Sequence, residues 1–498
     1  MLHRPITSLA LLFLAIISNF ACVTISTAPK IAQPDQIELK PCQFSNHKSA
    51  LLCGKYTVYE NRTAMSGRMI SLNVLVAPAN TNTPQPDPIF FLAGGPGQGQ
   101  ARMASAGEDR LMRSLRRERD LVFVDQRGTG DSHSLQCNLS AQRNAAQSYF
   151  AELFLPELVP ACRDILAEKA DLRYYTTPLA VDDLDDIRAA LQYEKINLYG
   201  VSYGTVTALE YLRRYPQRIR SLTLTGVSTP AAKLPLQFAQ GTERAMMRLL
   251  HDCSADPGCN AAYGNFRKDF DAVLAKLAGG PVVFDYHNPR SKVAEPVSLS
   301  RNVFIEQLRL MLYNHESMRL TPLMIHSAAR GDWSVFASIK SQSSRNTAFT
   351  ATAGVYFTIT CSESVPYITE AEIALHTAGT ILGDYQTRRH QRVCEQWPRA
   401  EVPDNYFEPV KSMLPVLMLS GDIDPTTPME LASEAARHLV NGRQIILRNT
   451  AHGYGSDCAQ SLIIEFIAQG SAKELDASCA ARLRRPPFLT ELPARYSR

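Results

Sequence analysis

The sequence predicts an α/β fold, with a mostly parallel central sheet flanked by helices and a helical cap inserted into it. Three observations carry this expectation. Short apolar runs alternate with helical periodicity up to about Pro230, the pattern of a parallel sheet covered on both faces. Residues 231–410 then read as mostly helical, with few buried-strand signals. The strand pattern returns at 416–419 and again at 444–447. A core interrupted by an insertion is the simplest account, so 22–230 and 411–498 are assigned to the core and 231–410 to the cap. A chain of 498 residues also exceeds one ordinary core, which agrees with two folded parts.

The elements follow in order. Strand signals begin near 56–59 and 69–76, and the Pro-, Asn- and Thr-rich stretch 77–88 is a loop. Residues 89–92 form a short apolar strand running into Gly94-Gly95-Pro96-Gly97, and 121–124 another ending in Asp125-Gln126-Arg127-Gly128. The arginines between Arg110 and Arg119 are interrupted by acids at 108, 109, 118 and 120, which reads as a solvated helix face. In 180–191, Val181, Leu184, Ile187 and Leu191 recur at helical spacing, with Asp182, Asp183, Asp185 and Asp186 mostly outward near the positive end of the helix. Residues 196–199 are a strand, 205–215 a helix stopped by Pro216, and 222–225 the next strand.

The start of the chain reads as a secretory signal peptide over 1–21. His3 and Arg4 precede an apolar run over 6–17, which is too short to span a bilayer comfortably. Cys22 follows Ala21, where a lipoprotein would be cleaved and acylated, so Cys22 is the candidate lipidation site. Asn19 and Phe20 fit that signal poorly, and cleavage after Ala28 is the alternative. The expected location is the periplasm, a membrane-tethered lipoprotein or the medium. The other ten cysteines fall as near neighbours: 42 and 53, 137 and 162, 253 and 259, 361 and 394, 458 and 479. In an exported chain these favour disulfides, although sequence alone does not fix their connectivity. Cys253 and Cys259 are the best local case, because the turn Asp256-Pro257-Gly258 folds the loop back. No CxxC pair or His/Cys cluster has zinc spacing, so no metal or other cofactor is expected. A net charge of +4 lacks the dense basic footprint of a nucleic-acid binder.

Chemistry enters at Gly200-Val201-Ser202-Tyr203-Gly204, between a strand and a helix. Glycines there permit a tight turn that lifts the serine above the sheet, as in an α/β-hydrolase. A serine hydroxyl is a weak nucleophile until a base takes its proton. In this fold the acid and then the base follow the serine. Asp422 and Asp424 both follow strand 416–419, and His452 follows strand 444–447. Asp424, next to Pro425, is preferred as the acid that would hold the imidazole tautomer, and Asp422 as a shaper of the turn. The oxyanion donors would be the N–H of Tyr203 and one from Gly94 or Gly95, since Pro96 has none. An esterase or lipase would use the same triad. A non-catalytic binding lipoprotein would not need all three residues, and dehalogenases and epoxide hydrolases place aspartate at the nucleophile position.

GGPGQG at 94–99, DQRGTG at 125–130, GVSYGT at 200–205, GDIDPTTP at 421–428 and AHG at 451–453 together resemble the proline iminopeptidase and tripeptidyl aminopeptidase family of α/β-hydrolases. Size, leader and cysteines look more like the secreted tripeptidyl branch. The resemblance implies cleavage of short peptides from a free amino terminus, with Ser202 as nucleophile, Asp424 as acid, His452 as base and the turn at 94–97 in the oxyanion hole. Ala93 stands where the iminopeptidase motif usually has histidine, so strict proline specificity is not implied. Thr360-Cys361-Ser362-Glu363 resembles a segment of the secreted branch. It makes Glu363 the candidate for holding the substrate ammonium.

Overall fold

Strands that bury every side chain build the centre of the sheet. In the computed structural model, which describes residues 36–44, 51–101, 104, 108–137, 139, 146–288, 293–345, 351–453 and 455–496, β4 (Ile89–Leu92) and β5 (Leu121–Val124) are buried throughout. So is β10 (Val416–Gly421). Between and beside them lie β6 (Ile196–Val201), β7 (Ile219–Thr225) and β11 (Gly442–Leu447). These six pair in parallel. β1 (Lys40–Cys42), β2 (Leu51–Tyr59) and β3 (Met69–Ala77) add an antiparallel edge. The order is β1-β2-β3-β5-β4-β6-β7-β10-β11. After β4 the chain steps to one side for β5 and to the other for β6, so the order reverses at β4. In open α/β sheets such a reversal opens a crevice beyond the carboxyl ends of the strands. β4 ends there in Gly94 and Gly95, and β6 in Ser202.

Every strand and helix placed on the core by the sequence is present, with ends shifted by a few residues. The segment 231–410 is helical apart from one antiparallel hairpin, β8 (Val282–His287) with β9 (Ala294–Leu299). Few of the hairpin's side chains are buried, so it carries no continuous apolar run for the sequence to show. Most of this segment packs around its own centre, with Met246, Leu249, Phe304, Trp333 and Phe336. The helix Ala353–Glu363 is different. All its residues are buried, and Val355, Phe357 and Ile359 join the cluster that holds Leu198 of β6 and Tyr203.

Two solvated faces expected from sequence prove to be ion-paired. Asp183 is 2% exposed and takes a bidentate bond from buried Arg127 at 2.6 and 2.8 Å, with Arg62 at 2.9 Å. Asp182 receives Arg214, Asp185 receives Arg188 and Asp186 receives Arg62. Arg116 and Arg119 are likewise buried, paired with Glu108 and Asp87, while Arg110, Arg113 and Arg117 remain at the surface. Charge alternation along the sequence does not reveal a partner distant in the chain, which is why these positions read as exposed.

The leader assigned to 1–21 and Cys22 lie outside the described residues. No helix among the described residues is long and apolar enough to cross a membrane. The ten remaining cysteines form five disulfides, each between the sequence neighbours named above. Peptide mapping without reduction should return these five pairs, and reductant should lower the midpoint of thermal unfolding. Loop closure over 25 and 33 residues, for Cys137–Cys162 and Cys361–Cys394, suggests about 3–4 kcal/mol each. Recovery of free thiols at these positions would overturn the pairing.

Candidate active site

Ser202 sits between β6 and the helix Tyr203–Arg214 with φ 57° and ψ −125°, a backbone region that L-residues avoid. Holding it there costs about 1–3 kcal/mol, so the surroundings must enforce it. Its N–H donates to Thr225 C=O at 2.9 Å, tying the turn to the end of β7. Its own C=O accepts from Thr205 N–H at 2.9 Å and from the Thr205 hydroxyl at 2.6 Å. Both motif glycines are required by close approach. A Cβ on Gly204 would lie 2.1 Å from Leu92 O, and one on Gly200 would lie 2.5 Å from Gly204 O. Tyr203 opens the helix, so its N–H has no acceptor within the helix and stands at the positive end of the dipole.

Asp424 and His452 come together as the sequence expects. His452 Nδ1 is 2.7 Å from Asp424 Oδ2, which leaves Nε2 for a serine. Asp424 is fully buried, and Oδ1 accepts the N–H groups of Thr426 at 2.8 Å and Thr427 at 2.9 Å. The Thr427 hydroxyl donates to Oδ2 at 2.6 Å and lies 3.1 Å from His452 Nδ1. Burial pushes this carboxyl up, but the adjoining His452 and the Thr427 donors outweigh it and hold it below the usual carboxylate range. Asp422 stands apart from the imidazole. It accepts Thr450 N–H at 3.2 Å and has Arg248 at 3.6 Å, so it fixes the loop that leads to His452.

Three neighbours of the histidine carry no signal in the sequence. Gly226, with φ +60°, passes so close that a Cβ would lie 2.9 Å from His452 Cε1. Tyr313 packs its ring at 70° to the imidazole, 5.3 Å between centres, and its C=O accepts His452 N–H at 3.0 Å. Thr427 belongs to the quoted GDIDPTTP run, but nothing in that run says which threonine reaches the acid.

The glycine turn after β4 lies against the serine. A Cβ on Gly94 would sit 3.1 Å from Ser202 Cβ, and Gly95 has φ +117°, open to glycine only at low cost. The turn is pinned to the cap segment by Thr352 N–H donating to Gly97 C=O at 2.8 Å. Gly94, Gly95, Ser202, Tyr203 and His452 share one cavity of about 630 Å³, roofed by Phe154, Phe238, Arg309, Tyr313 and Tyr356. That is room for a short peptide segment or a molecule of similar size.

Glu363 is not among the residues lining this cavity. It is 3% exposed, its Oε1 accepting Thr177 N–H at 2.7 Å and its Oε2 accepting the hydroxyls of Thr177 at 2.6 Å and Tyr406 at 2.5 Å. The Thr177 hydroxyl in turn lies 2.6 Å from Tyr203 OH, so Glu363 braces the back of the nucleophile helix. The expectation that it meets a substrate ammonium is corrected by this placement. The helix that carries it is buried on all sides, its polar residues Thr358, Thr360 and Ser362 included, so its last residue is enclosed as well. The DQRGTG motif is also structural. Asp125 accepts Ala101 N–H at 2.8 Å and Asp131 N–H at 3.0 Å, and Arg127 is spent on Asp183.

Fold and geometry together define a serine hydrolase of the α/β-hydrolase class. Residues 87–283 match the family described as alpha/beta hydrolase fold, and 380–479 the one described as TAP-like protein. The chain is 25% identical over 490 residues to serine protease Hip1 of Mycobacterium tuberculosis, covering 91% of this chain and 92% of that protein. It is 23% identical over 484 residues to a tripeptidyl aminopeptidase of Streptomyces coelicolor, covering 87% and 84%. These matches support a likeness to the tripeptidyl aminopeptidase and proline iminopeptidase family of α/β-hydrolases.

Burial pushes the Glu363 carboxyl up to about 7, against the pull of its bonds from Thr177 and Tyr406. A carboxyl whose pKa is higher in the folded chain binds its proton more tightly there. The stability it contributes is complete below the ordinary value of 4.5 and is lost as pH rises through about 7. Glu363→Gln should therefore flatten the fall of Tm across that window. Parallel Tm–pH curves for the two proteins would remove Glu363 as the titrating group.

Proposed function

We propose that the chain is an exported serine peptidase that releases short peptides, tripeptidyl-like, or N-terminal residues from peptides through an acyl-enzyme on Ser202. The observation that carries this reading is the Asp424–His452 pair standing at the cavity into which the strained Ser202 projects. His452 Nε2 takes the hydroxyl proton as Oγ attacks the scissile carbonyl. Charge gathers on the carbonyl oxygen, where the N–H of Tyr203 and one from Gly94 or Gly95 receive it. Asp424 holds Nδ1 protonated and stabilises the imidazolium. His452 then returns the proton to the leaving amine, and water repeats the sequence on the acyl-enzyme. The relatives' printed names, a serine protease and a tripeptidyl aminopeptidase, support peptides as substrates.

A free amino terminus needs a carboxylate within reach. Among the described residues lining the cavity, that group is Glu316, whose side chain is 59% exposed and lies 3.5 Å from Arg319. A solvated carboxylate of this kind contributes at most about 1 kcal/mol, or roughly fivefold. Five disulfides support export. Cys22 would supply the tether if the leader is cleaved before it.

Ser202→Ala should lower kcat on the order of 10⁶-fold with Tm close to the parent, and Asp424→Asn about 10⁴-fold. His452→Ala should match the serine variant. If Asp422→Asn does more damage than Asp424→Asn, the acid is misassigned. Substrate class is read from free and acetylated aminoacyl, dipeptidyl and tripeptidyl amides assayed beside the matching esters. Faster cleavage of free-amine amides supports the aminopeptidase reading, with Glu316→Gln narrowing the gap by a few-fold. Ester cleavage with inert amides would make the protein an esterase.

A further inference from the structure

The roof of the cavity carries an unbalanced positive charge. Arg309 lines it and is 5% exposed. Its guanidinium lies 4.6 Å from the centre of the Phe238 ring and 5.2 Å from that of Tyr313, and one terminal nitrogen donates to Tyr313 OH at 2.8 Å. Nε has no hydrogen-bond partner, and among the described residues no carboxylate oxygen lies within 4 Å of the group. Ring faces attract a cation but do not neutralise it.

The neighbouring acids are already committed. Glu306 is 1% exposed and grips Arg389, and Glu152 lies 3.8 Å from the same Arg389. Burial pushes the Glu306 carboxyl up, yet the combined field of Arg389, Lys340 and Arg309 holds it below its ordinary value. One buried carboxylate thus faces Arg309 and Arg389, which both reach the cavity wall, and Lys340, whose ammonium burial pushes below its ordinary value. An uncompensated charge in a low-dielectric wall is costly to keep, so the fold gains where an anion meets it there.

The position of that anion follows from Tyr313, which holds Arg309 through its hydroxyl and packs its ring on the imidazole of His452. We propose that Arg309 is a specificity-determining residue that receives a substrate carboxylate beside the scissile bond. Two parts of a peptide present one there: a Glu or Asp side chain on the acyl side, or the free α-carboxylate of a short leaving group. Planar pairing of guanidinium with carboxylate suits either. This inference rests on the serine hydrolase reading of Ser202 and refines its substrate.

Two pairs of substrates test it on the exported chain. The first pair carries Glu or Gln at the residue that donates the scissile carbonyl. The second pair consists of short peptides ending in a carboxylate or a carboxamide. The native protein should favour the carboxylate member of at least one pair by roughly 30-fold or more in kcat/KM. Preference in the first pair identifies a side chain, and in the second a C-terminus. Arg309→Gln should bring the ratio close to one, and Arg309→Lys should retain much of it. A native ratio of one or less in both pairs overturns the proposal whether or not Arg309→Gln folds, as does a ratio that survives that substitution. Cleavage of neutral amides alone would then leave the peptidase reading standing. If amides are inert and esters are cleaved, the peptidase reading falls instead, and the Glu and Gln esters still report the ratio.

Discussion

A serine held at φ 57° is the constraint on which the rest of the site depends. That backbone is unfavourable for any residue with a Cβ, so it persists only where neighbours close around it. Gly200 and Gly204 let β6, the helix after it and the end of β4 approach within distances that no side chain would tolerate. The bond from Ser202 N–H to Thr225 C=O then ties the turn to β7, whose next residue, Gly226, sets the clearance for the imidazole. Ser202, the turn at Gly94 and Gly95, and His452 are thus located by one set of close backbone contacts at the switch point of the sheet. The core sets most of this geometry, and the segment 231–410 adds the Tyr313 C=O on His452 N–H and the Thr352 N–H on Gly97 C=O.

Two kinds of buried charge follow from this division. In the core, Arg127 and Asp183 form a closed bidentate pair with Arg62 beside it, and Glu363 is satisfied by three donors behind the nucleophile helix. These groups are complete without a ligand, so they stiffen the frame. In the roof, Nε of Arg309, Nε of Arg389 and Oε2 of Glu306 lack partners. Of these, the two arginines line the cavity and can meet something that enters it.

The core was legible because its signals are local. Apolar runs of four to seven residues gave the buried strands, and the order of Ser202, Asp424 and His452 along the chain matched the order in which the fold delivers them. The hydrogen bond from His452 to Asp424 rather than Asp422 follows the room given by Pro425. What sequence could not show are pairings between distant segments. Asp183 with Arg127, Arg119 with Asp87 and Glu363 with Tyr406 each join residues from 32 to 56 positions apart; Asp183 and Arg119 read alone as solvated, and Glu363 as a contact for substrate. Glu363 was misplaced because its short motif says nothing of the direction in which a fully buried helix must turn. Gly226, Tyr313 and Arg309 act only through proximity to the site, and no periodicity marks that.

The placement of charges around the cavity ranks what can select a substrate. Glu316 lies at the solvated rim, where water screens it and an ion pair is worth little. Arg309 lies under aromatic rings and is 5% exposed, where the same pair is stronger. A peptide with a free amine would therefore be oriented weakly by the rim and held firmly by the roof. Glu363, the candidate for the substrate ammonium, is absent from the lining. The core uses Glu363 to brace Tyr203 through Thr177, the cap spends Glu306 on Arg389, and the charge left facing the serine is positive.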